Sequence, residues 1–393
     1  MAAPRVLNIE DLRRLARRRL PRVVFDYIDG GAEAEVTMRQ NVEAFSDLLL
    51  RPRCAVLTPT CDLQTTVTKI PITSPCILAP VGSTRMFYPK GEVHAARAAA
   101  AAGTIYTLST FAGTSLEEVR AASSGPLWYQ LYLVGGRSIT TAMLERVRAA
   151  KYDGLVVTID TAVSGLRERD FRNGMAELIR GGMSSVPYLA QMILRPGWLA
   201  GVIADGGLMT FPNVALPDGP MRYTDVPKAL AEANVCWHDL TWIRQAWNGP
   251  LIIKGIHTGD DARRAADEGV DAIVVSNHGG RQLDGVAASL RVLPEVRDAV
   301  HDRIEVLVDG GVRRGSDIVK ALCLGARAVL IGRAYVYGLA AAGEAGVSRA
   351  LEILRADMVR TMKLLGVQSI ADLDPSYVGS AAPWFRDGEV TRR

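Results

Sequence analysis

Residues 251–280 read LIIKGIHTGDDARRAADEGVDAIVVSNHGG. An apolar, β-branched run (LIIKG, 251–255) gives way to a stretch of helical spacing between glycines (GDDARRAADEG, 259–269), and a second apolar run (AIVVSN, 272–277) follows. Short runs of this kind, without polar alternation, describe strands buried on both faces, and a helix between two of them makes a parallel βαβ unit. The pattern repeats in both directions. Upstream lie CILAP (76–80), TIYTLS (104–109), LWYQLY (127–132) and LVVTID (155–160), and downstream lie EVLVDGG (305–311) and VLIGR (329–333). GEVHAARAAAAAG (91–103), TSLEEVRAA (114–122) and residues 315–324 read as helices in the gaps, several opened by a capping residue and closed by glycine. Eight such units predict an α/β protein, a (β/α)8 TIM barrel rather than an open doubly wound sheet, because right-handed crossovers close eight parallel strands on themselves.

A chain of 393 residues, 48% hydrophobic and 22% charged, suits one such barrel with extensions. The expected organisation is a single domain over residues 1–393, with the barrel at about 73–345 and an insert at about 165–245 after the fourth strand. A net charge of +4 drawn from near-equal acids and bases gives no reason to expect a nucleic-acid partner. The five cysteines are odd in number and lack C-x-x-C spacing, so neither a disulfide framework nor a metal site is expected. A cytoplasmic setting follows. The N-terminal stretch has no signal-peptide core and reads as an amphipathic helix, with Leu12, Leu15 and Leu20 inward and Arg13, Arg14, Arg17 and Arg18 in water.

Almost 90 residues separate the fourth and fifth strands, far more than an ordinary connection. Within them, residues 185–214 are apolar but broken by Arg195, Pro196 and glycines, too interrupted to span a bilayer. A solvent-shielding insert is the first reading. Peripheral contact with the inner face of the cell membrane is the second.

Catalytic residues of a barrel gather at the C-terminal ends of its strands. Here those ends carry Ser109, Gln130, Tyr132, Thr158, Asp160, Lys254, Ser276, Asn277, His278, Asp309 and Arg333. The sharpest local signal is SNHGGRQLDG (276–285), which sets His278 and Arg281 three apart on a glycine-rich turn. A histidine there can take a proton near neutral pH, and a guanidinium beside it can clamp a carboxylate. The other histidines (His94, His238, His257 and His301) lack such neighbours and read as structural. DGGVRRG (309–315) and IGR (331–333) put glycine N–H groups with Arg313 and Arg333 after strands seven and eight, the usual phosphate site of this barrel.

Together with FDYIDGGAE (25–33), QLY (130–132), TIDT (158–161) and IIKG (252–255), these motifs resemble the FMN-dependent α-hydroxy-acid dehydrogenase/oxidase family from about residue 8 to about 370. RERDFRNGM (167–175) and the long insert resemble most its bacterial L-lactate dehydrogenase branch. The resemblance implies FMN as cofactor and oxidation of an L-2-hydroxy acid, lactate first, to the 2-oxo acid. A mandelate-type acid or a modified peptide is the alternative substrate. It also implies roles: His278 as base, Asp160 as its orienter, Tyr132 on the reacting oxygen, and Arg281, Arg167 and Tyr27 on the substrate carboxylate. Pro80, Val81, Gly82, Ser109, Gln130, Thr158, Lys254 and Ser276 are implied to surround the isoalloxazine, and Asp309, Gly311, Arg313, Gly332 and Arg333 the ribityl phosphate. The substrate hydrogen on C2 leaves as hydride to the flavin, or the base takes it as a proton. The family likeness further implies a homotetramer and leaves quinone, cytochrome or oxygen as electron acceptor. Gly82 stands where several oxidases carry alanine, which leans toward a dehydrogenase, and Phe111 occupies a side-chain pocket position that varies. A scaffold or an isomerase would have no use for Tyr27, Tyr132, Asp160, Arg167, His278 and Arg281 together.

Overall fold

All eight apolar runs form strands: β1 (Cys76–Leu78), β2 (Tyr106–Ser109), β3 (Leu127–Leu131), β4 (Gly154–Thr158), β5 (Leu251–Ile256), β6 (Ala272–Val275), β7 (Glu305–Asp309) and β8 (Ala328–Ile331). In the computed structural model, which describes residues 6–180, 182–207 and 209–380, they pair in chain order as parallel neighbours. β8 then returns to β1 with Leu330 opposite Ile77, closing the barrel. The expected (β/α)8 architecture is what the chain adopts.

Successive side chains of a strand point to opposite faces, so each run supplies two hydrophobic layers. Ile77, Trp128, Val156, Ile252, Val274 and Leu307 point inward and pack as one apolar cluster. Their neighbours Leu78, Tyr129, Leu155, Ile253 and Val308 face the surrounding helices. Trp128 fills the room left by Gly154, where a Cβ would lie 2.5 Å from the indole. A hairpin (Thr65–Val67 with Ile70–Ile72) adds Val67 and Ile72 to the interior and floors the barrel. Three-residue strands carry no periodicity, so nothing in the sequence announced it.

The same alternation sets the roof. Two residues beyond the inward apolar layer lie Gln130 above Trp128, Thr158 above Val156, Lys254 above Ile252, Ser276 above Val274 and Asp309 above Leu307. The C-terminal layer of the interior is therefore polar, and it is buried.

Among the described residues three helices precede the barrel: α1 (Ile9–Arg19), α2 (Arg22–Asp29) and α3 (Val36–Glu43). α1 starts at a capping box made by Asn8 and Asp11, and it buries Ile9, Leu12 and Ala16. It packs along the last long helix, Arg333–Leu365. Leu12 and Leu20 face inward as expected, but Leu15 is only half-buried. Arg13 departs further from expectation. It stays 33% exposed but is forked onto Asp29, Nε to Oδ1 at 2.6 Å and Nη2 to Oδ2 at 2.9 Å, because α2 brings a buried carboxylate alongside.

Between β4 and β5 the chain builds short helices, including Val186–Ile193 and Pro196–Ala204, and a hairpin of Thr210–Leu216 with Gly219–Arg222. Their inner side docks on the barrel: Trp198 Nε1 donates to the Met86 carbonyl at 2.9 Å, and Arg85 pairs with Asp205 at 2.5 Å. Their outer side leaves Met183, Ile193, Leu194 and Ile203 more than 60% exposed. Among the described residues no helix is long and apolar enough to cross a membrane. All five cysteines are free.

Candidate active site

The polar roof of the barrel and the underside of the insert enclose a cavity of about 610 Å3, within the size range of cofactor and substrate sites. His278 stands at its edge on a strained turn. Its φ is +57°, and Gly279 and Gly280 continue in the left-handed region at +65° and +71°. A side chain at position 280 would meet the backbone of Met38 at 2.5 Å, so the turn can be this tight only with glycine there. The His278 imidazole joins Asp160 through Nδ1 and Oδ1 at 2.9 Å. An anionic partner on Nδ1 makes that nitrogen the donor and leaves the Nε2 lone pair free for a proton. Asp160 lies two residues past β4, and Gly255 makes room for it, since a Cβ there would lie 2.7 Å from the Asp160 Cβ. Burial alone would push the Asp160 carboxyl up, but His278 and Lys254 hold it down at about 2.

Lys254 is buried with its ammonium on Ser276 Oγ at 2.9 Å and Asp309 Oδ2 at 3.2 Å. Burial pulls its pKa down, and Asp309 with Asp160 more than restores it, so the charge is permanent. Ser109 donates to Gln130 Oε1 at 3.0 Å. That bond turns the Gln130 amide nitrogen away, and this atom, Thr158 Oγ1 and Asp309 Oδ1 are buried without a partner among the described residues. Buried polar groups in this state mark a place where a ligand completes the hydrogen bonding.

At one end Tyr27 from α2 lies between two guanidiniums, Arg281 at 5.0 Å and Arg167 at 5.8 Å from its ring centre. Arg167 pairs with Asp170 at 3.0 Å. Arg281 donates to the carbonyls of Tyr27 and Gly30, at 2.7 and 3.1 Å, and among the described residues pairs with no carboxylate. Burial, and then the nearby Arg167, lower its pKa. Two cations with one carboxylate between them leave room for one more negative charge. Tyr132 lies close by under Phe111, with ring centres 5.2 Å apart, and burial followed by Asp160 raises its pKa, which keeps it a hydroxyl donor.

Further along the wall Gly310 and Gly311 take φ of +98° and +87°, and Gly332 caps the helix that starts at Arg333. A helix N-terminus with glycine N–H groups attracts phosphate. Arg333 is held by the carbonyls of Ile28, Gly279 and Gly30, and burial followed by Arg281 lowers it to about 10. Arg313 hydrogen-bonds within its own loop, to Val312 O at 2.9 Å.

Of the residues singled out in the sequence, Tyr27, Tyr132, Arg167, His278 and Arg281 line this one cavity. So do Pro80, Val81, Gly82, Ser109, Gln130, Thr158, Lys254, Asp309, Gly311, Arg313, Gly332 and Arg333. Asp160 and Ser276 stand behind the wall. The Ser276 hydroxyl is taken up by Lys254 and by the His278 N–H at 3.0 Å, so here it steadies two lining residues rather than facing the cavity itself. Sequence reasoning missed most of the insert's share of the lining: Met175 ends the RERDFRNGM motif but was given no role, and no motif or period distinguishes Phe211, Tyr223 and Leu230. Elsewhere Cys236, His238 and Asp239 bring ligand atoms within 4.8 Å of one another on an exposed turn, none of them in the cavity wall.

Residues 16–380 match the family model described as FMN-dependent dehydrogenase. An L-lactate dehydrogenase of Caulobacter vibrioides (strain NA1000 / CB15N) is 45% identical over 382 residues, 96% of this chain and 99% of that one. One from Pseudomonas aeruginosa (strain UCBPP-PA14) is 44% identical over 367 residues, 92% and 95% of the two chains. Among solved structures, a monotopic membrane protein, (S)-mandelate dehydrogenase, superposes with a TM-score of 0.90 at 36% identity, covering 96% of this chain and all of that one. The cavity fits FMN on its own terms. Unpartnered amide and hydroxyl groups and a fixed ammonium suit the polar edge of a flavin, and the glycine loop with its helix N-terminus suits a phosphate. Fold, cavity chemistry and full-length similarity agree: the chain belongs to the FMN-dependent dehydrogenase family.

Proposed function

We propose that this chain oxidises L-lactate, or a close L-2-hydroxy acid, to the 2-oxo acid, with FMN in the cavity supplying the two-electron acceptor. The observation that carries the reading is the placement of a histidine–aspartate pair in one cavity with two half-buried arginines that share one carboxylate. Arg281, with Arg167 and Tyr27, binds the substrate carboxylate and fixes the hydroxyl-bearing carbon. His278 takes the hydroxyl proton at Nε2 while Asp160 holds Nδ1–H and stabilises the imidazolium. Tyr132 donates to the reacting oxygen, and the insert excludes water. The lining residues assigned from the sequence would hold FMN, Gln130, Thr158 and Lys254 at its ring and Gly311, Arg313 and Gly332 at its phosphate.

The relatives named L-lactate dehydrogenase, at 44–46% identity, support lactate. The apolar wall of Phe111, Phe211, Met175 and Leu230 favours a second reading, a larger aryl acid of the mandelate kind. Anaerobic addition of L-lactate and of (S)-mandelate separates them by which one bleaches the flavin faster. In the same assay His278→Gln keeps its FMN and slows bleaching by about 10^3-fold. Bleaching at the wild-type rate in that variant would sink the assignment.

The exposed apolar side of the insert supports peripheral attachment to a membrane, where a quinone would collect the electrons. In flotation with anionic phospholipid vesicles the protein then rises with the lipid, and Ile193→Ser with Leu194→Ser releases it. Wild-type protein left at the bottom of the gradient excludes this attachment.

A further inference from the structure

The inference below rests on reading His278 as the base. That residue stands on a turn of three consecutive left-handed residues, closed locally by the Gly280 N–H on the Asn277 carbonyl at 3.0 Å and by the His278 N–H on Ser276 Oγ at 3.0 Å. A further hold on it comes from outside the barrel. Asn41, on α3, is 2% exposed and pairs with Asn277 in both directions. Its Nδ2 donates to Asn277 Oδ1 at 2.8 Å, and its Oδ1 accepts from Asn277 Nδ2 at 2.9 Å. The same Oδ1 accepts the Ser289 N–H at 3.2 Å, at the start of the next helix. Asn277 Oδ1 in turn receives the Gly280 N–H at 3.1 Å, which closes the turn carrying His278.

Asn41 also touches the phosphate end. Its carbonyl would lie 1.9 Å from a Cβ at Gly311, and its side chain 3.3 Å from one at Gly310. The DGG loop therefore folds directly against it.

We propose that Asn41 is a positioning residue: through Asn277 it fixes the turn that presents His278, and through its backbone it seats the loop that receives the cofactor phosphate. The side chain touches neither substrate nor flavin. It acts because an amide can donate and accept at once, which the reciprocal pair requires. A carboxylate of the same shape keeps both acceptor contacts but sets an oxygen against Asn277 Oδ1.

Anaerobic stopped-flow reduction of the holoenzyme by L-lactate tests this. Asn41→Asp is expected to keep FMN and to reduce it at least about tenfold more slowly, with KM changed less than about threefold. The acid limb of its pH–rate profile should move as well, because the imidazole shifts against Asp160. Asn41→Ala and Asn277→Ala should each slow reduction, and the double variant should be no worse than the poorer single one. Reduction within twofold of wild type in Asn41→Asp, whatever its melting temperature, overturns the proposal, and so does an additive double variant. Should Asn41→Ala not fold, Asn41→Asp decides alone. A wild-type protein that no hydroxy acid bleaches refutes instead the reading of His278, so the two failures stay apart.

Discussion

Helix α2 divides two groups of arginines whose surroundings are opposite. On one side Arg13 and Arg169 converge on the buried Asp29, with Arg169 reaching Glu35 as well. The bonds that Arg13 donates to Asp29 raise the pKa of Arg13, and for Arg169 burial lowers it but the nearby Glu35 and Asp29 outweigh that effect. On the other side Arg281 and Arg333 end on the backbone carbonyls of Tyr27, Ile28, Gly30 and Gly279, and both have lowered pKa values. Carbonyl dipoles orient a guanidinium without neutralising it, whereas a carboxylate does both. Burial lowers Arg281 and Arg333 first, and the kind of partner decides whether that cost is offset: this separates an arginine that holds the fold from one that waits for an anion.

The sharpest way to break this contrast is to remove one arginine from each side. Arg281→Met should lower kcat/KM for L-lactate by about 10^3-fold, roughly 4 kcal/mol of transition-state binding. Its stability should move by about 1 kcal/mol or less, because an uncompensated buried cation leaves with the side chain. Arg169→Met should do the reverse, losing about 1–3 kcal/mol by stranding Asp29 and Glu35, with kcat/KM of the folded enzyme within about threefold of wild type. Steady-state kinetics beside thermal melts read both axes. If Arg281→Met melts early while turning over normally, the distinction has no functional content.

How far the sequence foretold this arrangement follows from how local each signal is. β-branched runs and inward–outward alternation are properties of a few adjacent residues, so all eight strands and the polar layer above Trp128, Val156 and Ile252 could be read in advance. His278 and Arg281 share one motif. Asp160 lies 118 residues from His278, yet it could be named because barrel topology sends every strand end to one mouth. Asn41, Asp29 and Tyr223 had no such rule behind them. They lie on helices that precede the barrel or on the long insert, where contacts are set by docking and not by chain period. Arg13 shows the same limit: helical spacing placed it on the outer face of α1, and only the packing of α2 revealed the carboxylate beside it.

Acid titration probes the weaker half of the comparison. Burial would raise the Asp29 carboxyl, but Arg13, Tyr337 and Arg169 together hold it at about 2, against an ordinary aspartate value of 3.8. A folded pKa below the unfolded one means that the unfolded chain binds the proton more readily, so this contribution is complete above about pH 4 and disappears as the pH falls toward 2. The shift corresponds to about 2 kcal/mol. Asp160 titrates in the same direction over the same window, and Asp26, raised by burial despite Arg169 and Arg22, opposes both. The Asp29 share is therefore isolated by subtraction, from the melting temperature of wild type minus that of Asp29→Asn at each pH. That difference should be largest above pH 4 and shrink as the pH approaches 2, since protonated aspartic acid and asparagine present the same neutral surface to the two arginines. A difference that stays constant across this range means that Asp29 holds Arg13 and Arg169 by shape and hydrogen bonds alone, and the contrast between carboxylate-bound and carbonyl-bound arginines is then not one of charge.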